Sequence, residues 1–274
     1  MSAEHDRAGV AAESPEATQT AEVGTEVEAA DDQPTATFLV IEHEDLCPPS
    51  WLGDWWEERG VALRRVRGDL GEPIPDDAGD ADALIVLGGH AGANDDAEFP
   101  WLPATRALIA QSVDAGVPFL GVCLGHQLGT VALGGEVRPN PAGRAKGLTP
   151  IDLTDAGRVD PLLCGFDGAP AVQWNRDIAV ALPARASVLA TSPDGTPQAV
   201  RFAPWAYGVQ FHPECSPDQF DTWTVLKPDA VLDGEDGALV RSRAEAVRAA
   251  GADLERAWRP LAARFLDLVA DFRR

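Results

Sequence analysis

Lysine, tyrosine and methionine are nearly missing from this sequence of 274 residues, which contains two lysines, one tyrosine and one methionine. Positive charge as a whole is scarce, because 22 lysine and arginine side chains face 44 aspartate and glutamate side chains, giving a formal net charge of −22. So acidic a chain repels phosphate backbones, and the composition therefore argues against nonspecific binding to nucleic acid.

Long apolar runs and export signals are lacking too. No stretch of 18 or more apolar residues occurs, which argues against a membrane span, and the first residues lack the basic-then-apolar pattern of a signal peptide. The four cysteines form no C-x-x-C pair and the histidines are scattered, so we predict neither a disulfide scaffold nor a metal site. These features favour a cytoplasmic protein.

Three segments differ in composition. Residues 1–35 carry nine carboxylates against one arginine and almost no large apolar residue, so we expect a disordered acidic tail. Residues 36–226 contain the apolar runs expected of one main domain. Residues 227–274 predict a loop followed by a helical extension packed on that domain, with a break or kink where Pro260 interrupts an apolar stripe running from Leu254 to Phe272.

Short apolar runs alternate with helical patterns in the first half of the main domain. This alternation predicts an α/β fold with a doubly wound, mostly parallel sheet flanked by helices. Functional residues are then expected at the carboxyl ends of the strands. The predicted strands are 38–41, 61–66 and 83–87, and the predicted helices are 48–60 and 103–115.

A cysteine lies between a short apolar strand and a helix. Cys123 is flanked by glycines two positions away on each side, Gly121 and Gly125, which is the pattern of a nucleophile elbow. A side chain at either glycine would collide with the neighbouring strand or helix in so sharp a turn. The helix amino terminus would favour a thiolate, so Cys123 is a candidate nucleophile.

A second apolar strand ends in a histidine and an acid. His212 and Glu214 are two residues apart, so on a strand they point to the same face and can contact each other. Pro213 between them suits a strand end. Cys123 would attack, His212 would carry the proton, and Glu214 would orient the imidazole. In α/β-hydrolases the acid precedes the histidine on a separate loop, so this order argues against an esterase.

The two segments GVCLGHQ and GVQFHPE together resemble the class I, triad-type glutamine amidotransferases, most nearly the stand-alone GMP-synthase-like members. Residues 87–89, 173–174 and 198–200 resemble further parts of that family in order and spacing, and the resemblance covers roughly residues 36–225. It implies a flavodoxin-like fold of the class I amidotransferase type.

The resemblance implies hydrolysis of a γ-glutamyl amide through a Cys123 thioester. The backbone N–H groups of Gly89 and Leu124 are the candidate oxyanion donors. Gly89 follows a strand and has no side chain to block the approach of a substrate, and Leu124 is the first residue of a helix. His212 would protonate the leaving ammonia and then activate water. This step requires no metal and no organic cofactor.

Substrate contacts are also implied by the resemblance. Gln127 and the backbone near Gly88 would hold the amino-acid end of the substrate. Two positions depart from the family pattern at the expected cleft: Asn175 stands where many relatives have histidine, and the segment 144–146 (Arg-Ala-Lys) stands where they tend to have an acid. These departures leave the triad intact but put the identity of the substrate in doubt.

Three functions stay open at the level of sequence. The first is a glutaminase acting on L-glutamine, with the ammonia passed to a separate synthase, since no ATP-pyrophosphatase motif and no P-loop occurs in the sequence. The second is a γ-glutamyl peptidase acting on glutathione-like amides. The third is a binding or regulatory protein with a vestigial site, which the complete set of Cys123, His212 and Glu214 argues against.

Overall fold

The computed structural model describes residues 34–226 and 236–274. Most of the predicted acidic tail, residues 1–33, lies outside the described residues, as does most of the predicted loop, residues 227–235. None of the helices in the described ranges has both the length and the apolar character that crossing a membrane requires.

One eight-stranded sheet forms the centre of the domain, in the order β2-β1-β3-β4-β12-β11-β10-β7. The strands from β2 to β12 pair in parallel, whereas β11, β10 and β7 complete the sheet in antiparallel fashion. The predicted doubly wound, mostly parallel sheet is confirmed. The strands of this sheet are β1 (Ala36–Glu42), β2 (Val61–Arg67), β3 (Ala83–Val86), β4 (Phe119–Val122), β7 (Asp152–Leu153), β10 (Ser187–Thr191), β11 (Pro197–Ala203) and β12 (Ala206–Val209).

Helices cover both faces of the sheet, because the buried strands alternate apolar side chains between two cores. In β4, Phe119 belongs to one core and Leu120 to the other. One core packs α1 and α7 and the other packs α2 and α3 against the sheet. The helices are α1 (Ser50–Glu57), α2 (Leu102–Asp114), α3 (Leu124–Ala132), α4 (Asp155–Arg158), α5 (Pro217–Leu226), α6 (Gly237–Ala249) and α7 (Gly251–Phe272), with a 3₁₀ turn at Gly68–Leu70.

Two small antiparallel sheets lie beside the main one. The first pairs β5 (Glu136–Pro139) with β9 (Asp177–Ala181), and the second pairs β6 (Ala145–Pro150) with β8 (Pro170–Asn175). Strand β8 reaches the main domain core through Val172, whose carbonyl accepts a hydrogen bond from the N–H of His212 at 2.9 Å. This contact brings the end of β8 to the carboxyl end of β12.

The carboxyl-terminal helix corrects one expectation. Helix α7 runs unbroken from Gly251 to Phe272, with Pro260 inside it, so of the predicted break or kink the break is wrong and the kink stays a prediction. Proline removes one backbone donor, but the burial of Trp258, Leu261 and Phe265 on both sides of it holds the helix together. The helix packs on the sheet, where Trp258 contacts the ring of Phe211 at 4.6 Å between centroids.

The first helix is shorter than the sequence pattern indicates. The predicted helix spans 48–60, whereas α1 begins at Ser50 and ends at Glu57. Gly60 then adopts a positive φ of 77°, which reverses the chain into β2 and is favourable for glycine.

Candidate active site

Cys123 occupies a strained turn between β4 and α3. Its φ of 51° and ψ of −103° are unusual for a residue with a side chain, and in the described ranges only Ser50 shares a positive φ among non-glycine residues. A Cβ at Gly125 would lie 1.9 Å from the carbonyl oxygen of Val86, and one at Gly121 would lie 2.5 Å from the carbonyl oxygen of Gly125. Only glycine fits at these two positions, as the sequence pattern predicts.

His212 and Glu214 form a buried ion-pair geometry. The Nδ1 atom of His212 lies 2.7 Å from Oε1 of Glu214, and each side chain is 2% exposed. Trp223 of α5 packs its ring against the imidazole at 4.7 Å between centroids. The imidazole is therefore fixed by a carboxylate on one side and an aromatic ring on the other.

The side chains of His212 and Cys123 converge beside Gly88. A Cβ built at Gly88 would lie 3.1 Å from Cε1 of His212 and 3.7 Å from Cβ of Cys123. Burial works against the imidazolium form, but the negative charges of Glu214 and of a Cys123 thiolate outweigh it and raise the pKa of His212. The arrangement therefore favours the imidazolium form of His212, whose Nε2 has no hydrogen-bond partner within the described residues.

The two candidate oxyanion donors are unused. Within the described ranges, the N–H groups of Gly89 and Leu124 donate no hydrogen bond. Leu124 is the first residue of α3, where backbone N–H groups have no acceptor inside the helix. Gly89 lies against Leu124, because a Cβ there would be 3.1 Å from Cδ2 of Leu124. Gly89 also lines the small cavity that contains Cys123.

A glutamine that sequence reasoning left without a role contacts the nucleophile. The Nε2 atom of Gln210 lies 3.6 Å from Sγ of Cys123, and its Oε1 accepts a hydrogen bond from Nε2 of Gln127 at 3.1 Å. Gln127 also donates to the carbonyl of Asp177 at 2.9 Å. The available signal is proximity along the chain, since Gln210 lies two residues before His212 in the segment that follows β12.

A small cavity opens onto Cys123 and Gln127. Asn175 and Arg144, the two positions that depart from the family pattern, both lie in its wall. Arg176 lies there too, and its guanidinium pairs with Asp177 at 2.9 Å. The cavity wall thus combines amide, guanidinium and carboxylate groups around the thiol.

Two further buried histidines are held neutral. Burial lowers the pKa of His43 and of His126 to about 4 in each case. His43 accepts a hydrogen bond from Nε1 of Trp101 at 3.0 Å, and His126 stacks on Phe202. Their environment is the opposite of that of His212, and within the described residues no group of three or more potential metal ligands occurs.

Comparison with known proteins gives one consistent family. The family model described as glutamine amidotransferase class-I matches residues 56–226. The glutamine amidotransferase-like protein YfeJ of Salmonella typhimurium is 33% identical over 210 residues, which cover 75% of this chain and 87% of YfeJ.

Two further similarities concern a larger enzyme and a solved structure. A glutamine-hydrolysing GMP synthase of Aeropyrum pernix is 32% identical over 163 residues, which cover 57% of this chain and 29% of that enzyme. A crystal structure of a glutamine amido transferase from Methylobacillus flagellatus has a TM-score of 0.76 at 25% identity, covering 86% of this chain and 95% of that one.

Proposed function

This chain belongs to the class-I glutamine amidotransferases, and on that premise we propose that it hydrolyses the side-chain amide of L-glutamine with Cys123 as nucleophile. The observation that carries the proposal is the convergence of the Cys123 side chain, on its strained elbow, with the His212–Glu214 pair. A cysteine that only packs in the core does not need a turn in which two positions accept glycine alone.

The reaction begins with attack of the Cys123 thiolate on the amide carbonyl carbon. His212, as imidazolium, donates its Nε2 proton to the nitrogen of the tetrahedral intermediate, and the C–N bond breaks to release ammonia. His212, now neutral, takes a proton from water as that water attacks the thioester. The C–S bond then breaks, which releases glutamate and restores the thiolate–imidazolium pair.

The backbone supplies the oxyanion site in this proposal. The N–H groups of Gly89 and Leu124 donate to the carbonyl oxygen as negative charge develops on it. Donors of this kind contribute roughly 3 kcal/mol of transition-state stabilisation each. Their lack of partners among the described residues supports the assignment.

Gln127 holds the amino-acid end of the substrate, together with the backbone near Gly88. Both amide hydrogens of Gln127 are engaged by Asp177 and Gln210, so its Oε1 is the atom left to accept a hydrogen bond from the substrate ammonium. The cavity encloses about 30 Å³, room for only one or two water molecules. Glutamine is larger than this space, so its entry requires the side chains of the cavity wall to move apart.

The ammonia acceptor is a separate synthase in this proposal. The match with the Aeropyrum pernix enzyme spans only 29% of that enzyme, whose name couples glutamine hydrolysis to GMP synthesis. Free ammonia equilibrates with solvent, so efficient use requires an acceptor site close to the Cys123 cavity.

The test is release of glutamate from L-glutamine and, in parallel, from glutathione, with Cys123→Ala as the blank. Turnover of glutamine that depends on Cys123 is the expected result. Turnover of glutathione alone would reassign the chain to γ-glutamyl peptidases. No turnover of either, together with no labelling of Cys123 by a glutamine-analogue electrophile, would favour a vestigial site.

A further inference from the structure

A second cavity lies at the amino end of β12, away from the Cys123 site. It encloses about 620 Å³, within the range typical of small-molecule sites. Tyr207 and Trp205 form part of its wall, and β12 runs from Ala206 to Val209, with His212 three residues beyond that end. The strand itself spans about 10 Å, and the two cavities share no lining residue, so the two sites are separate.

The hydroxyl group of Tyr207 is buried without a partner. Tyr207 is 1% exposed, and its hydroxyl makes no well-aligned hydrogen bond within the described residues, although the guanidinium of Arg201 lies close enough to lower its pKa. Burial, followed by the negative charge of Asp160, raises the pKa of Tyr207 to about 12, so the group remains a donor at neutral pH. A buried hydroxyl that lines a cavity and lacks a partner is costly unless a ligand or water completes it.

Two arginines supply positive charge to the same cavity. Arg201 pairs with the buried Asp160 at 3.0 Å and faces Tyr207 across the β11–β12 ladder. Arg185 is exposed and makes no ion pair or hydrogen bond within the described residues. Asp271, an acid in the lining, pairs with Arg274 at 3.1 Å. The cavity therefore retains an uncompensated guanidinium, in a chain whose net charge is −22.

The remaining wall is apolar. Trp205 is half-buried and Leu268 of α7 is buried, and Pro161 and Pro204 extend the same surface. The indole face of a tryptophan accommodates planar groups by stacking. A ligand that satisfies both kinds of wall must carry an anionic head and a planar apolar body.

We propose that this cavity binds a small organic anion, a carboxylate or phosphate ester that carries a planar apolar group. The anionic head accepts hydrogen bonds from Arg185, Arg201 and the hydroxyl of Tyr207. The apolar body lies against Trp205 and Leu268. This site is distinct from the Cys123 cavity and does not depend on the function proposed for it.

The test is isothermal titration calorimetry of the full chain with 1-naphthyl phosphate. We expect one binding site, and weaker binding of inorganic phosphate and of 1-naphthol, which each lack one half of the probe. Titration of 1-naphthoate separates the two head groups, and saturable binding of either anion supports the site.

Matched substitutions locate the binding. Arg185→Gln removes a charged donor on the rim and is expected to weaken binding about tenfold or more. Tyr207→Phe keeps the ring and is expected to weaken it about fivefold. Arg144→Gln removes the same charge from the wall of the Cys123 cavity and should leave the affinity unchanged.

Three results would overturn the proposal. The first is no saturable binding of either aromatic anion. The second is inorganic phosphate or 1-naphthol binding as tightly as 1-naphthyl phosphate. The third is Arg144→Gln weakening binding more than Arg185→Gln, which would place the anion beside Cys123 instead.

Discussion

The regions at the two ends of strand β12 differ in how their polar side chains are paired. Beyond its carboxyl end, His212 and Glu214 are buried and bonded to each other, and Gln210 contacts the thiol. At its amino end, the hydroxyl of Tyr207 and the guanidinium of Arg185 have no partner within the described residues. The difference is that the carboxyl end forms an acid–base pair within the protein, with Nε2 of His212 and Oε2 of Glu214 left without a partner among the described residues, whereas Tyr207 and Arg185 form no such pair at the amino end.

Backbone strain follows the same division. The carboxyl end of the neighbouring strand β4 holds Cys123 at a positive φ, in a turn closed by Gly121 and Gly125. Such strain persists only where the surrounding packing over-determines the turn. A fixed geometry at the reacting atom lowers the barrier of a reaction. A binding cavity, by contrast, gains affinity from polar groups that are free to bond to the ligand.

The largest effect is expected from the proton carrier. His212→Ala should reduce glutamine turnover by about a hundredfold to ten-thousandfold, because it removes the general acid and base. Glu214→Ala should leave more activity, since Glu214 acts through the imidazole. Steady-state kinetics of both variants check this order. A Glu214→Ala enzyme slower than His212→Ala would show that the two roles are wrongly assigned.

The elbow glycine should be the most sensitive position for folding. Gly125→Ala places a methyl group 1.9 Å from a backbone carbonyl that cannot rotate away, so we expect a loss of about 3 kcal/mol or more in the free energy of unfolding. Gly237→Ala, at the start of α6, meets only the flexible end of Arg241 and serves as the control. Urea unfolding measures both. Equal stability of the two variants would contradict the strained turn.

The histidines should give opposite pH dependences of stability. His126 has a pKa of about 4 in the folded chain. Between pH 6.5 and 4 the imidazole therefore binds a proton in the unfolded chain but not in the folded chain, so stability falls as the pH falls. His212 has a raised pKa, so its contribution is present below its ordinary pKa and is lost as the pH rises towards the folded value.

Urea unfolding at pH 5, 7 and 9 tests this contrast. The stability lost between pH 7 and pH 5 should be smaller in His126→Asn than in the wild type, by about 2 kcal/mol. In His212→Asn the stability lost between pH 7 and pH 9 should be smaller instead. The same change at acid and alkaline pH in both variants would contradict their opposite environments.

The smallest effect should come from the amino end of β12. Tyr207→Phe removes a hydroxyl that has no hydrogen-bond partner within the described residues, so the free energy of unfolding should change by less than about 1 kcal/mol, or rise slightly. Thermal unfolding of the variant without ligand measures it. A loss of several kcal/mol would mean that the hydroxyl has an internal partner, and the contrast between the two ends would fail.

The residues that the sequence places at the carboxyl-end site lie close together in the structure because their signals are local, and their roles stay predictions. The two-residue spacing of His212 and Glu214 predicts their contact, and glycine spacing marks the elbow at Cys123. The strand on which this spacing was placed ends earlier, at Val209. Gln210, His212 and Glu214 therefore lie in the bend and turn beyond it, and the contact of Gln210 with the thiol was not identified. The helix continues through Pro260 without the predicted break because tertiary burial on both sides outweighs the loss of one hydrogen bond.

The amino-end cavity has no comparable signal in the sequence. Arg185, Arg201 and Leu268 come from three different elements or loops, and only the strand register and the docking of α7 bring them together. From the sequence alone, an arginine in a loop is expected to be a solvated surface charge. Its role depends on neighbours that are distant along the chain.

Mass spectrometry of the intact protein, quenched within milliseconds of mixing with L-glutamine, is the decisive measurement for the Cys123 site. We predict a transient species in the wild type that is heavier by one γ-glutamyl group. This species should accumulate further in Glu214→Ala, because the loss of the orienting acid slows hydrolysis of the thioester. It should be missing in Cys123→Ala. Glutamate release with no adduct on Cys123 in either active protein, or an equal adduct in Cys123→Ala, would contradict a thioester on this residue.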